Sequence, residues 1–147
     1  MPHAFLRIAA AASAVLLTTL TYPARAQVEI REGDTHCGRI TRFADGILTI
    51  EVFDESAGGG WAGTITARIE DLNLDSAVVE EEANGPPFNI ELHCKDDALC
   101  MKQRGHFVGL QMEGNGSPNN DGAFIDIGCS TRDECQSFLD ALKASVR

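Results

Sequence analysis

In the stretch CSTRDECQSFLDALKASV, Cys129–Val146, the chain changes its period. Cys135, Phe138, Leu139, Leu142 and Val146 recur at spacings of three and four, which is the pattern of one face of an amphipathic helix. Thr131 with Glu134 three residues later makes a capping box, and Asp133 adds negative charge at the positive end of the helix dipole. A helix is therefore expected over about 131–146.

Upstream, from Val28 to Gly128, polar and apolar residues alternate and turn residues come at short intervals, which is the pattern of strands. Asp45-Gly46 is a hairpin signal between Arg39–Phe43 and Ile47–Phe53. ESAGGGWAG (55–63) reads as a glycine-rich loop, and TITARIEDLNL (64–74) places Ile65, Ala67 and Ile69 on one strand face. EEEANGPP (80–87) reads as a charged turn, and the strand after it carries Phe88, Ile90, Leu92 and Cys94 on one face. GHFVGLQME (105–113) and AFIDIGC (123–129) read as two further strands, separated by GNGSPNNDG (114–122), which is loop by composition. The fold class that follows is mostly β with one C-terminal α-helix, an antiparallel small barrel or sandwich closed by the helix.

Cys94 and Cys100 stand six positions apart, and so do Cys129 and Cys135. Zinc knuckles place two to four residues between sulfur ligands, and a thioredoxin-type site places two, so five intervening residues favour disulfide staples. Cys94 ends one strand and Cys100 opens the next, so their bridge is expected to clasp a hairpin. Cys129 ends the final strand and Cys135 lies in the first helical turn, so their bridge is expected to fix the angle between strand and helix. With five cysteines, choosing the odd one and pairing the rest still allows 5 × 3 = 15 arrangements, and spacing alone leaves them open.

The N-terminus points to the same redox environment. Residues 1–26 have a basic start at Arg7, an apolar run of 13 residues from Ile8 to Leu20, and a small-x-small end at Ala24-Arg25-Ala26. That is the form of a cleaved secretory signal, and the run is short of the ~20 residues a membrane span needs. The expected product is a single exported domain, 27–147, periplasmic or extracellular, with no membrane insertion. Cleavage removes Arg7 and Arg25 from the 12 basic residues and none of the 22 acidic ones, which leaves a formal charge of (12 − 2) − 22 = −12. Such a chain is repelled by nucleic acid and by anionic lipid, so a basic protein or a cation is the expected partner, unless the charge serves only solubility.

Several antiparallel strands followed by one capped C-terminal helix resemble the pleckstrin-homology-like superfold. FNIELHC, the connection into CMK, AFIDIGC and ECQSFLDALKASV carry the resemblance, which is one of element order with no diagnostic motif. It implies a bent sheet or barrel closed at one end by the helix. It does not carry over phosphoinositide binding, because the first hairpin loop, Ala44-Asp45-Gly46, lies between Arg39, Arg42 and Glu51 without a lysine-rich cluster.

The candidate chemistry is sparse. Cys37 is the expected odd cysteine, read as a buried thiol or an intermolecular bridge. Nucleophilic use would need an imidazole from His93 or His106, since the adjacent His36 points the other way along a strand. His36-Cys37 and His93-Cys94 suggest a zinc site only if both members of each pair could face one metal, which strand alternation opposes. Asp121 and Asp126 beside NGSPNND do not have the spacing of a calcium loop. Asn115-Gly116-Ser117 has the form of a glycosylation sequon, followed by Pro118. No nucleophile elbow, phosphate-binding loop or metalloprotease motif is present, no carboxylate pair stands out for glycoside hydrolysis, and no cofactor is implied. Trp61, the single tryptophan, is either a recognition anchor or a plug under the sheet, and packing is the favoured reading. The functional expectation is a non-enzymatic binding module acting through an acidic surface, for instance as an inhibitor of a lysozyme-like enzyme. A structural or envelope-stress component and a small hydrolase or thiol enzyme using Cys37 are the alternatives.

Overall fold

The computed structural model describes residues 28–55, 60–107 and 119–146. The signal-like segment, the sequon and most of GHFVGLQME lie outside them.

Among the described residues, two antiparallel sheets and one α-helix make up the fold. Strands β1 (Glu29–Gly33), β2 (Cys37–Ala44), β3 (Ile47–Asp54) and β4 (Trp61–Arg68) run as a meander, and after a two-stranded excursion β7 (Met101–Phe107) and β8 (Asn120–Gly122) extend it. The order across this six-stranded sheet is β1-β2-β3-β4-β7-β8. The smaller sheet orders β5 (Val79–Glu81), β6 (Phe88–His93) and β9 (Phe124–Cys129) as β5-β6-β9. The two sheets do not join into one hydrogen-bonded barrel. Helix α1 (Arg132–Ala144) follows β9.

Local chemistry explains the elements that were anticipated. Asp45 and Gly46 both have positive φ, 50° and 78°, which the tight β2–β3 turn requires and which Asp-Gly supplies at little steric cost. Ile90, Leu92 and Cys94 are buried at alternate positions. Thr131 caps α1 by accepting a hydrogen bond from Glu134 N at 3.1 Å. Glu134 answers one residue further back than a standard capping box, accepting from Ser130 N at 2.8 Å. Cys135, Phe138, Leu139 and Leu142 form its buried face, and Phe138 meets Phe43 edge-on with ring centroids 5.4 Å apart. Val146 is half exposed, because the helix ends before it reaches the core.

Five expectations change. Glycine-flanked Trp61, Ala62 and Gly63 are strand, not loop: Trp61 is half-buried against the core, and its indole lies over Gly63 and Gly105, where a β-carbon would collide. The charged turn at 80–87 begins as edge strand β5, and 120–122 of the expected loop form edge strand β8; three-residue edges carry too little pattern to be seen in sequence. TITARIEDLNL stops being strand at Arg68 and turns through a short 3₁₀ segment, Ile69–Asp71. Most consequential is the bridge Cys94–Cys100, which forms as expected in pairing but not in role. β6 and β7 belong to different sheets, so this bridge ties the small sheet to the large one where a hairpin clasp was expected. Cys129–Cys135 does join β9 to α1. Both pairs are compatible with an oxidising compartment. Among the described residues no helix is long and apolar enough to cross a membrane.

Candidate binding surface

Sheet topology sorts the charge. The six strands of the large sheet carry Arg31, Arg39, Arg42, Arg68, Lys102 and Arg104 against Glu29, Glu32, Glu51, Asp54 and Asp121, six basic to five acidic. The three strands of the small sheet carry Glu80, Glu81, Glu91 and Asp126 with no lysine or arginine. The small sheet is therefore uniformly acidic, the rest of the acid excess is spread over turns, loops and the helix, and the large sheet is close to neutral through local pairs. These are Arg31–Glu29 at 2.7 Å, Arg42–Glu51, Lys102–Asp121 at 2.8 Å and Arg104–Asp121 at 3.0 Å.

Register builds the acidic face row by row. Ile90 and Leu92 in β6 and Ile127 and Cys129 in β9 are buried, so alternation puts Asn89, Glu91, His93, Phe124, Asp126 and Gly128 on the other face. Glu80 pairs with Asn89 and Asn89 with Gly128; Glu91 pairs with Asp126; His93 pairs with Phe124. His93 and Phe124 stack with centroids 5.8 Å apart and planes inclined by 29°, and Glu91 bonds the His93 imidazole. Phe124 is 56% exposed.

At the Gly128 end the face is covered. Glu32 Oε1 and the Pro86 ring lie so close to Gly128 that a β-carbon there would come within 2.5 Å of each. Arg39 binds both sides of this junction, donating from Nη2 to Glu32 Oε1 at 2.6 Å and from Nη1 to the Asp126 carbonyl at 2.9 Å. Asn89 is 8% exposed; its Nδ2 donates to Glu82 Oε1 at 3.1 Å and its Oδ1 meets no donor. The second oxygen of Glu32 and one carboxylate oxygen of Asp126 are likewise buried without a donor. Burial first, and then the charges of Glu91 and Glu82, push the Asp126 carboxyl above its ordinary range, against the opposing pull of Arg39 and His93. The face is a concentration of negative charge whose nearest guanidinium is already committed.

The other candidates are dispersed. Cys37 is exposed at the start of β2, which corrects the expectation of a buried thiol. His36 Nδ1 lies 3.8 Å from Glu55 Oε2, His93 stacks on Phe124 in the small sheet, and His106 is on β7, three strands across the large sheet from β2, so neither candidate base is beside Cys37. Among the described residues no cluster of His, Cys, Asp and Glu has the arrangement of a metal site. Asp121 is held below its usual range by hydrogen bonds from Lys102 and then Arg104, which occupies it as a structural ion-pair partner. An open groove of about 680 Å³ beside Cys100 is lined by Ile47, Ala67, Arg68, Lys95, Leu99 and Lys102. Its cations are engaged: Lys95 with the Glu70 carbonyl at 2.6 Å, Arg68 with Glu70 and Lys102 with Asp121. Sequence reasoning missed Glu91, Phe124 and the special setting of Asp126. The alternation of FNIELH and FIDIGC places them on a polar face, but only the pairing of β6 with β9 makes them neighbours.

No family model, curated protein or solved structure matches the chain. The pleckstrin-homology-like resemblance thus stays one of element order.

Proposed function

We propose that this chain is an exported, non-catalytic binding module that engages a basic protein through the acidic face of its three-stranded sheet. A cationic extracytoplasmic enzyme of the lysozyme kind is the concrete partner class. The observation that supports this reading most is the segregation of charge: Glu80, Glu91 and Asp126 with no lysine or arginine on the outer face of β5, β6 and β9, while Glu81 shares the opposite face with Phe88 and pairs with Arg132, beside a large sheet that is nearly balanced. Surplus acid kept only for solubility would need no such sorting. Like charges on neighbouring strands cost stability, and Glu91 lies directly opposite Asp126. A partner's cations would relieve that repulsion, so association would be fast, salt-sensitive and selective for basic surfaces.

The test is binding of a purified lysozyme to the full chain, expressed with export and with both disulfides intact, over a range of ionic strength. Glu80→Gln/Glu82→Gln/Glu91→Gln should slow association about tenfold or more at low salt and flatten the salt dependence. Glu55→Gln/Asp75→Asn/Asp140→Asn, which removes the same charge from exposed positions elsewhere, should have a much smaller effect. Equal effects of the two triple variants, or binding indifferent to salt, would remove the acidic face from consideration.

A further inference from the structure

We infer that Phe124 and His93, with Glu91 and Asp126 in the adjoining row, form a subsite for one arginine side chain of the basic partner. The inference rests on the reading above and adds its point of attachment.

Charge alone would spread binding over Glu80, Glu82, Glu91 and Asp126, but the face is not uniform. One end is closed by Glu32, Pro86 and Arg39 over Gly128. At the other end Phe124 is 56% exposed, and the stacked His93 imidazole holds its ring in place. The carboxylates of Glu91 and Asp126 stand two residues along their strands from His93 and Phe124, a step of roughly 6.5 Å. A planar guanidinium lying on the aromatic face can therefore direct its N–H groups toward carboxylates in the next row, a combination an ammonium matches less well. The chain already uses this chemistry internally, with the Arg132 guanidinium 5.2 Å from the centroid of the Phe88 ring.

An independent observation marks the same face as one that takes donors. One carboxylate oxygen of Asp126, in the row next to Phe124, is buried without a donor. The subsite offers acceptors at Glu91 and Asp126, and the Phe124 ring presents a negative π face. A multivalent donor cation suits all of these features; an anion suits none, and a neutral apolar segment suits the ring but leaves the carboxylates unmet.

The experiment is a two-dimensional amide NMR titration of the exported, oxidised chain. The probes are the blocked peptide Gly-Arg-Gly, the lysine analogue, and the citrulline analogue, which keeps the shape of arginine without its charge. Shifts centred on Glu91, His93, Phe124 and Asp126, in the order arginine over lysine over citrulline, are expected. Phe124→Leu, which keeps apolar bulk at an exposed position, should weaken arginine-peptide binding roughly two- to fivefold, the range of an exposed cation–π contact. Equal shifts from citrulline, shifts spread evenly over all acidic segments, or unchanged affinity in Phe124→Leu would each overturn the subsite. The same variant measured against lysozyme separates the two levels of the reading. Sensitivity to the Glu80/Glu82/Glu91 charges without sensitivity to Phe124 would overturn the subsite alone, and insensitivity to both would overturn the acidic face with it.

Discussion

Replacing Cys94 and Cys100 together by alanine removes a bridge whose contribution can be worked from its position. The cysteines are six positions apart and close a loop of about seven residues. Cross-linking a loop of that length removes denatured-chain entropy amounting to about 2.4 kcal/mol at 25 °C. The native backbone at this junction has other supports, since Cys94 N donates to the Ala123 carbonyl at 2.7 Å and Cys94 bridges Leu72. The variant should therefore fold, with both sheets formed, and lose roughly the entropic amount. Urea unfolding followed by Trp61 fluorescence and by circular dichroism should show a midpoint lowered by about 1 M, with the two probes coincident. Cys129→Ala/Cys135→Ala closes a loop of the same length, so its entropic loss is the same. Cys129 and Cys135 are both buried, at 2% and 0% exposed, whereas of the other pair only Cys94, at 4%, is fully buried, so the vacated sulfur volume adds the larger packing loss here, by about 1 kcal/mol. The ranking of the two double variants is the sharp part of the prediction. A Cys94/Cys100 variant that loses more than the Cys129/Cys135 variant, or whose sheets unfold at separate midpoints, would refute the reasoning by showing that the inter-sheet bridge holds native structure together.

Four further outcomes follow from single side chains. Thr131→Ala, which removes the acceptor of Glu134 N, should cost about 1 kcal/mol in denaturant unfolding, and Thr131→Ser should cost much less. Arg39→Met leaves the Glu32 carboxylate, 11% exposed, without its cation and should destabilise by about 3–5 kcal/mol, with Arg39→Lys between it and the parent. Asp126→Asn should stabilise the protein at neutral pH. The folded chain raises this carboxyl's pKa, so its charge opposes folding above that value and ceases to do so as pH falls through it; the gain over the parent should therefore shrink on acidification. Asp121→Asn has the opposite sign: the folded state lowers that carboxyl, so the parent's advantage should be present near neutrality and fade as pH falls through the carboxylate range.

What could be read from the sequence was whatever is set by short-range geometry. The helix follows from a cap and a 3.6-residue period, the β2–β3 hairpin from the positive φ values that Asp-Gly accepts, and the inward face of β6 from alternation over Phe88, Ile90, Leu92 and Cys94. Pairing of strands distant in the chain has no such local signature. β4 pairs with β7 across the whole excursion that contains β5 and β6, and β6 pairs with β9 rather than with its successor. That single topological fact turned Cys94–Cys100 from a hairpin clasp into an inter-sheet tie. Trp61 misled for a related reason, since the glycine that marks a loop in sequence also marks a backbone over which a large ring can lie, and Gly105, its other contact, is 44 positions away. The formal charge was visible in composition, but its separation into a balanced sheet and an acidic one exists only once the strands are assigned.

The placement of Glu91 opposite Asp126 is the point at which stability and binding diverge. Cross-strand neighbours of like charge weaken a sheet, and a fold selected for stability alone would place an amide or a cation at one of the two positions. Arg39 shows that the chain can neutralise a carboxylate in this neighbourhood, for it pairs with Glu32 and also secures the Asp126 backbone carbonyl. Leaving the Glu91 and Asp126 side chains in mutual repulsion beside an exposed phenylalanine violates two local preferences within one small patch. Departures of this kind gather where a surface is kept ready for a ligand. The same substitution should accordingly move two measurements in opposite directions: Asp126→Asn gains stability at neutral pH and loses affinity for the arginine peptide. A variant that gained in both would mean that the repulsion serves neither folding nor recognition.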